Sequence, residues 1–354
     1  MLKRLRQRIE VTDVFMWVIG AVLVGSIIYG SVVTITSGRF TTRQWFDIII
    51  SGITQGSVYA LIALGYTLVY GILRMINFAH SEVFMGGAFT GYFVADALNR
   101  SGFLQSNPVL GLGAVFLVAI LISVTVAVLL ERIAYRPLRR APRLVPLITA
   151  IGASFFLQYV FRGLYGSQPK SYPEVNALAG VLHFGSNIVI QKTQLLVIVA
   201  AAVLMLVLYL FVQNTKTGKA MRAVSEDKDS AALMGIDVDA IIVRTFILGA
   251  SLAGAAGVLY AQLFRNVSYF MGFIPGIKAF TAAVLGGIGN IPGAMLGGIF
   301  LGLFESVGPG LFLSGLGVPS PNQLKDVIAF TMLVMVLIFR PTGILGERLA
   351  GKKA

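Results

Sequence analysis

Nine predominantly apolar runs, each near the length of a membrane-crossing helix, constrain this chain more than any other feature. They lie near 14–36, 46–72, 83–98, 109–130, 146–161, 193–213, 242–264, 293–313 and 325–339, with a shorter one at 276–289. A helix needs roughly 20 apolar residues to cross a hydrocarbon core of about 30 Å. The runs are continuous, whereas a transmembrane barrel alternates polar and apolar residues over segments of about ten. Only 12% of the residues are charged and 56% are hydrophobic, while a water-facing globule carries about 25% charged residues. The fold class is therefore all-α: a polytopic transmembrane helical bundle of about ten helices, including short or broken ones.

Charge orients the bundle. The net charge of +13 invites a nucleic-acid partner, but the cations sit where membrane topology puts them. Lys3, Arg4, Arg6 and Arg8 open the chain, Arg132, Arg136, Arg139, Arg140 and Arg143 share one loop, and Arg340, Arg348, Lys352 and Lys353 close it. Cytoplasmic loops carry such an excess, so lipid is the expected surround and no nucleic acid is implied. With the N-terminus inside, 132–145 and 214–241 fall in the cytoplasm, and 99–108 and 165–192 fall outside. Ten crossings, counting 276–289, return the basic C-terminus to the cytoplasm; Arg39 and Arg43, placed outside, fit this scheme least well. Val14–Thr36 is longer than the 7–15-residue core of a secretory signal, so it reads as an uncleaved helix.

Two polar interruptions stand out. In "RMINFAHSEVFMGG" (74–87), Arg74, Asn77, His80, Ser81 and Glu82 fall between two apolar runs and lead into Gly86 and Gly87. In "LGGIGNIPGAMLGG" (285–298), Gly286, Gly287, Asn290 and Pro292 break a helix. Breaks at membrane depth are tolerated where backbone is buried in protein or lines a cavity, so this one reads either as pathway lining or as a plain hairpin turn. The first has two readings as well, a wall of the route or a cap on the following helix. Interrupted helices at corresponding places in two halves mark transporters with internal repeats, and an inverted repeat is expected, although no residue-level repeat is visible.

The segment 214–241 mixes charges with "DSAALMGI", a short helix whose Ala231, Ala232, Leu233 and Ile236 are available to bury against the bundle or a cytoplasmic partner. Enzymatic chemistry finds no foothold. "TKTGKA" (215–220) lacks the first glycine and the final Ser/Thr of a phosphate loop. The two histidines, His80 and His183, form no H-E-x-x-H pair, and the chain has no cysteine. No metal or cofactor is expected. A proton-driven carrier would bury more carboxylates than Glu82, Glu131 and Glu305 offer, so the energy has to come from a partner.

The chain resembles the permease subunits of branched-chain amino acid ABC importers, most closely their LivH-like member. The resemblance runs through "GSVYALIALGYTLVYGILRMINFAHSEVFMGGAF" (56–89), "ERIAYRPLR" (131–139), "LITAIGASFFLQ" (147–158), "TGKAMRAVSEDKDSAALMGIDVDAIIVRTFILGASLAGAAGVLYA" (217–261), "GIKAFTAAVLGGIGNIPGAMLGG" (276–298) and "RPTGILG" (340–346). It implies a permease body over 41–347, preceded by an added basic leader and helix (1–40) and followed by a cytoplasmic tail (348–354). It also implies a bacterial inner-membrane location and a second, related permease in a heterodimer. Two cytoplasmic ATPase subunits would drive transport of a substrate delivered by a periplasmic binding protein. Branched-chain or other hydrophobic amino acids are the implied substrates, with urea, amides and other amino acids as alternatives. The family's E-A-A-x-x-x-G coupling helix corresponds to Asp229-Ser230-Ala231-x-x-x-Gly235, with Asp for Glu and Ser for the first Ala. The ATPase contact is thereby expected at Asp229, Ser230, Ala231, Ala232, Leu233, Gly235 and Ile236. The route is expected along Asn77, His80, Ser81, Glu82, Gly86, Gly87, Gly286, Gly287, Asn290 and Pro292.

Overall fold

The computed structural model describes residues 11–139, 141–142, 144–185, 188–340 and 342–346, with side chains from residue 17 onward. The basic leader, Arg140, Arg143 and the 348–354 tail lie outside these residues. Thirteen α-helices follow in order: α1 (Val11–Thr36), α2 (Thr42–Leu73), α3 (His80–Arg100), α4 (Phe103–Ser106), α5 (Pro108–Leu130), α6 (Leu144–Tyr165), α7 (Lys192–Asn214), α8 (Lys216–Glu226), α9 (Lys228–Leu233), α10 (Val238–Phe264), α11 (Phe273–Gly286), α12 (Ile291–Gly308) and α13 (Lys325–Phe339). Two short antiparallel pairs complete the described structure, β1 (Lys170–Ser171) with β4 (Asn266–Val267) and β2 (Val181–Phe184) with β3 (Ile188–Gln191). Eight of the described helical segments are long and apolar enough to cross a membrane. The protein is a polytopic helical bundle.

α2 and α10 form its buried centre, crossing where Gly65 meets Gly249 backbone to backbone. Packing in lipid is driven by close approach of small residues rather than by hydrophobicity. Accordingly α12 lies along α2 with Gly298 against Ala60 and Gly302 against Gly56, and α5 lies along α10 with Ala119 and Ser123 against Gly254. Exchanging α2, α3, α5 and α6 for α10, α11, α12 and α13 maps each of four pairings onto another: α2–α12 onto α10–α5, α3–α5 onto α11–α12, α3–α10 onto α11–α2, and α3–α6 onto α11–α13. The exchange reverses direction. α2 runs toward the end of the bundle that carries α8 and α9, where Arg74 donates to the Ser225 carbonyl at 3.0 Å, while α10 starts from that end. The repeat expected from the two interruptions is thus an arrangement of helices.

Each central helix stops in the same way. Arg74 closes α2 at φ 57° and Arg265 closes α10 at φ 52°, the two non-glycine residues with positive φ among those described. The chain then turns back into the bundle. After Arg74 it reaches the level of Gly65, against which the His80 ring packs; after Arg265 it reaches Gly272, which packs on the Ser81 carbonyl. α3 and α11 therefore both begin inside the bundle, with their first turns in contact. α11 has 14 residues, about 21 Å at 1.5 Å per residue, short of a full crossing; the approach from Arg265 is extended at 266–267 and turns at 269–272.

Two π-helical turns mark corresponding places, Glu131–Tyr135 at the end of α5 and Pro309–Leu313 at the end of α12. The added helix α1 docks on the second: Gly30 rests on the Phe312 carbonyl, Gly315 on the Gly30 carbonyl, and Arg39 donates to the Ser314 carbonyl.

Candidate functional site

The end of the bundle at α8 and α9 gathers much of what the sequence singles out. Six residues are too few for an independent helix, so α9 depends on its caps. Asp227 accepts from the Asp229 and Ser230 amides at 2.9 and 3.4 Å and from the Ser230 hydroxyl at 2.6 Å, and these bonds hold its carboxyl below the usual aspartate range. At the other end the Ile236 amide donates to the Ala231 carbonyl and the Gly235 amide to the Ala232 carbonyl, with Gly235 at φ 82°. That is a Schellman close, which a left-handed glycine permits.

The expected apolar set is divided by this turn. Ala231 is buried and Ile236 packs on the bundle, while Leu233 is 90% and Met234 82% exposed. Ala232, Asp229, Ser230 and Gly235 are also exposed. The result is a rigid base with a two-residue apolar tip.

Behind this tip a polar chain leads into the bundle. Asp239, in the first turn of α10, accepts from Arg136 at 2.7 Å and from Arg139, and Arg139 also pairs with the fully buried Glu131. One turn along, the Tyr135 hydroxyl donates to Asn77 Oδ1 at 2.7 Å. The "ERIAYRPLR" motif is therefore a clamp between the starts of α10 and α3. Sequence reasoning missed its roles, because Asp239 lies about a hundred residues from the arginines.

From Asn77 the re-entrant segment delivers His80, Ser81 and Glu82 into the interior, all three buried. Glu82 Oε1 accepts from Gln158 at 2.8 Å, Ser154 at 3.1 Å and Ser81 at 3.3 Å, so α6 supplies two of its three partners. His80 stacks edge-on against Tyr66 at 5.0 Å. Gly86 admits the Phe161 ring, and Gly87 meets Ser123 and Gly254. These residues form one packed polar layer with the first turn of α11, since Ser81 touches both Gly272 and Gly276.

The second interruption is brought to a different place. Gly286, Gly287, Asn290 and Pro292 form the turn between α11 and α12, at the end of the bundle near Gly71. Asn290 caps α12, accepting from the Gly293 amide at 2.8 Å, and Pro292 sits in the first turn. Residues 342–346 cover the turn, with the Ile344 and Leu345 amides donating to the Leu285 and Gly286 carbonyls and Asn290 donating to the Leu345 carbonyl.

A third cluster was not singled out from the sequence. Lys278, 3% exposed, lies on α11 with Nζ 2.6 Å from Glu305 Oε1 on α12 and 2.6 Å from Asp326 Oδ1 on α13. Tyr59 of α2 donates to the same Glu305 oxygen at 3.4 Å. A lysine inside the apolar run "GIKAFTAAVL" was the available signal, because an ionisable residue at membrane depth demands a partner.

The sequence profile described as "Branched-chain amino acid transport system / permease component" matches residues 48–337. The high-affinity branched-chain amino acid transport system permease protein BraD of Pseudomonas aeruginosa is 45% identical over 303 residues, covering 84% of this chain and 95% of the relative. LivH of Escherichia coli strain K12, described in the same words, is 42% identical over 299 residues, covering 84% and 94%. A probable LivM permease of Methanocaldococcus jannaschii is 26% identical over 155 residues, covering 40% of this chain and 43% of the relative. Matched along most of its length by the profile and by two relatives above 40% identity, this chain belongs to the branched-chain amino acid transport system permease family.

Proposed function

We propose that this chain is one of two permease subunits of a bacterial inner-membrane ABC importer for branched-chain amino acids, driven by ATPase subunits that dock on α9. The carrying observation is the Leu233–Met234 tip. Two large apolar side chains stand exposed beside a helix capped at both ends, at the end of the bundle that charge places in the cytoplasm. Exposed apolar residues ringed by charge mark an interface, and Asp229, Lys228 and Glu226 supply the charge for orientation. A LivM-type relative supports a related but distinct second permease. A periplasmic binding protein delivers the amino acid, both termini face the cytoplasm, and the substrate class is carried over from the relatives' names.

In this reading the layer of Asn77, His80, Ser81, Glu82, Gly86 and Gly87 and the turn of Gly286, Gly287, Asn290 and Pro292 border the route. The support is mechanical. Arg74 ties α2 to the end of α8, and Tyr135 ties the α10 clamp to Asn77, so a push on α9 is transmitted to α3.

The test is copurification of the ATPase subunits with Leu233→Asp. Leu233 is 90% exposed among the described residues, so the expected outcome is normal membrane yield with loss of ATPase association and of ATP-dependent uptake. Retained association would overturn the docking assignment, and uphill uptake by the lone chain in liposomes would overturn the importer reading.

A further inference from the structure

The equivalent helices α5 and α12 each end near a buried glutamate held in a three-membered ionic device, built from otherwise non-equivalent residues. At the end of α5, the buried Glu131 pairs with Arg139, which bridges to Asp239, half-exposed at the start of α10. At the end of α12, the buried Glu305 pairs with Lys278, which bridges to Asp326, 42% exposed at the start of α13. Glu131 opens a π-helical turn and Glu305 lies one turn before the other, a form that concentrates at functional sites. The two lie at different depths: Tyr59, beside Lys278, and Arg74, beside the α8–α9 end, are separated by about 22 Å of helical rise.

The arms of each device differ in what opening them costs. Separating the dry Lys278–Glu305 or Arg139–Glu131 arm strands a buried charge, a cost of several kcal/mol in general. On the other arms Asp239 and Asp326 are half-exposed as residues and can turn to water on release, with Asp326 Oδ1 itself buried against Lys278, and the basic partner keeps its buried glutamate. Each device thus has a fixed arm and a releasable one.

We propose that Asp239 and Asp326 are the releasable arms of two opposed latches, one for the α8–α9 end and one for the far half, which open in turn during transport. Asp239 and Asp326 are positioning residues here, since they hold helices rather than substrate. The proposal rests on the permease reading above and adds to it which contacts break.

Opposed latches on one two-state equilibrium predict cross-effects, because weakening one shifts the population and so tightens the other. The experiment measures hydrogen exchange in the assembled wild-type complex and in its Asp326→Asn, Asp239→Asn and double variants. Asp326→Asn is expected to speed exchange in the first turn of α13 and slow it in the first turn of α10, each by roughly three- to fivefold, the upper range for an ion pair with one half-exposed member. Asp239→Asn is expected to do the reverse, the double variant to return both toward wild type, and Asp326→Glu to restore the original pattern.

Local loosening alone, with no opposite change at the distant helix, would overturn the proposal. Both substitutions leave the buried pairs in place; if one variant fails to assemble, the other carries the same test by reciprocity. Failure of the importer reading itself is seen separately, as absence of ATPase subunits or of ATP-dependent uptake in the wild-type complex.

Discussion

The α3–α6 pair of the first half and the α11–α13 pair of the second occupy equivalent places and are joined by opposite chemistry. On α3, Glu82 is held by neutral donors, Ser154 and Gln158 of α6. On α11, Lys278 is held by two carboxylates, from α12 and α13. What the halves share lies instead at backbone contacts, where Gly298 meets Ala60 and Gly254 meets Ala119. The repeat is therefore preserved by small residues that let helices touch, while the polar groups inside each half have diverged to whatever satisfies them locally.

By that contrast, charge is essential to the α11–α13 pair and dispensable to the α3–α6 pair. Lys278→Met removes the cation between two carboxylates and leaves Glu305 buried with the Tyr59 hydroxyl at 3.4 Å and Lys325 Nζ at 4.0 Å. Removing one member of a buried pair costs about 3–5 kcal/mol, so the largest loss of membrane yield and thermal stability is expected here. Lys278→Met combined with Glu305→Gln is expected to recover most of it. Wild-type stability in the single variant would show that α11 and α13 are held by packing alone and that the two halves do not differ.

The shared feature is tested by placing a side chain at each glycine contact. A Cβ at Gly298 meets the Ala60 backbone, and one at Gly254 meets the Ala119 carbonyl and the Ile120 α-carbon. Overpacking of this kind costs roughly 1–3 kcal/mol. Gly298→Val and Gly254→Val are expected to lower the unfolding temperature of the complex by similar amounts. A large effect at one and none at the other would reduce the repeat to a resemblance of helix order.

These residues also show what could be read before folding. The runs gave each long helix, because continuous apolar length is a local property, and Asn290 with Pro292 marked a helix break because turn-forming residues act locally too. The backward turns at Arg74 and Arg265 were not readable: a left-handed arginine has no sequence signature, and the descents that follow are fixed by contacts with Gly65 and Ser81. The split of "DSAALMGI" into an inward Ala231 and Ile236 and an outward Leu233 needed the close at Gly235, which reverses the face. Lys278 was visible in its run, but Glu305 and Asp326 come from two other helices, and nothing local pairs them. The repeat was hidden because its common element is the absence of side chains.

The smallest effect is expected at Glu82, and it separates the two halves most cleanly. Substituting Gln keeps an oxygen for the Gln158 and Ser154 donors and strands no counter-ion, because among the described residues no cation lies within ion-pair distance of Glu82. The change introduces an amide N–H₂ where the second carboxylate oxygen stands without a hydrogen-bond partner. An unmet buried polar group costs about 1–3 kcal/mol, and the amide replaces a carboxyl oxygen already unmet, so the net loss is about 1 kcal/mol or less. Glu82→Gln is therefore expected to assemble and unfold close to wild type, well above Lys278→Met in the same assay. If its stability is near wild type and uptake falls, Glu82 acts on the route and not on the fold. If stability falls as far as for Lys278→Met, Glu82 is held by charge after all, and the contrast between the halves is lost.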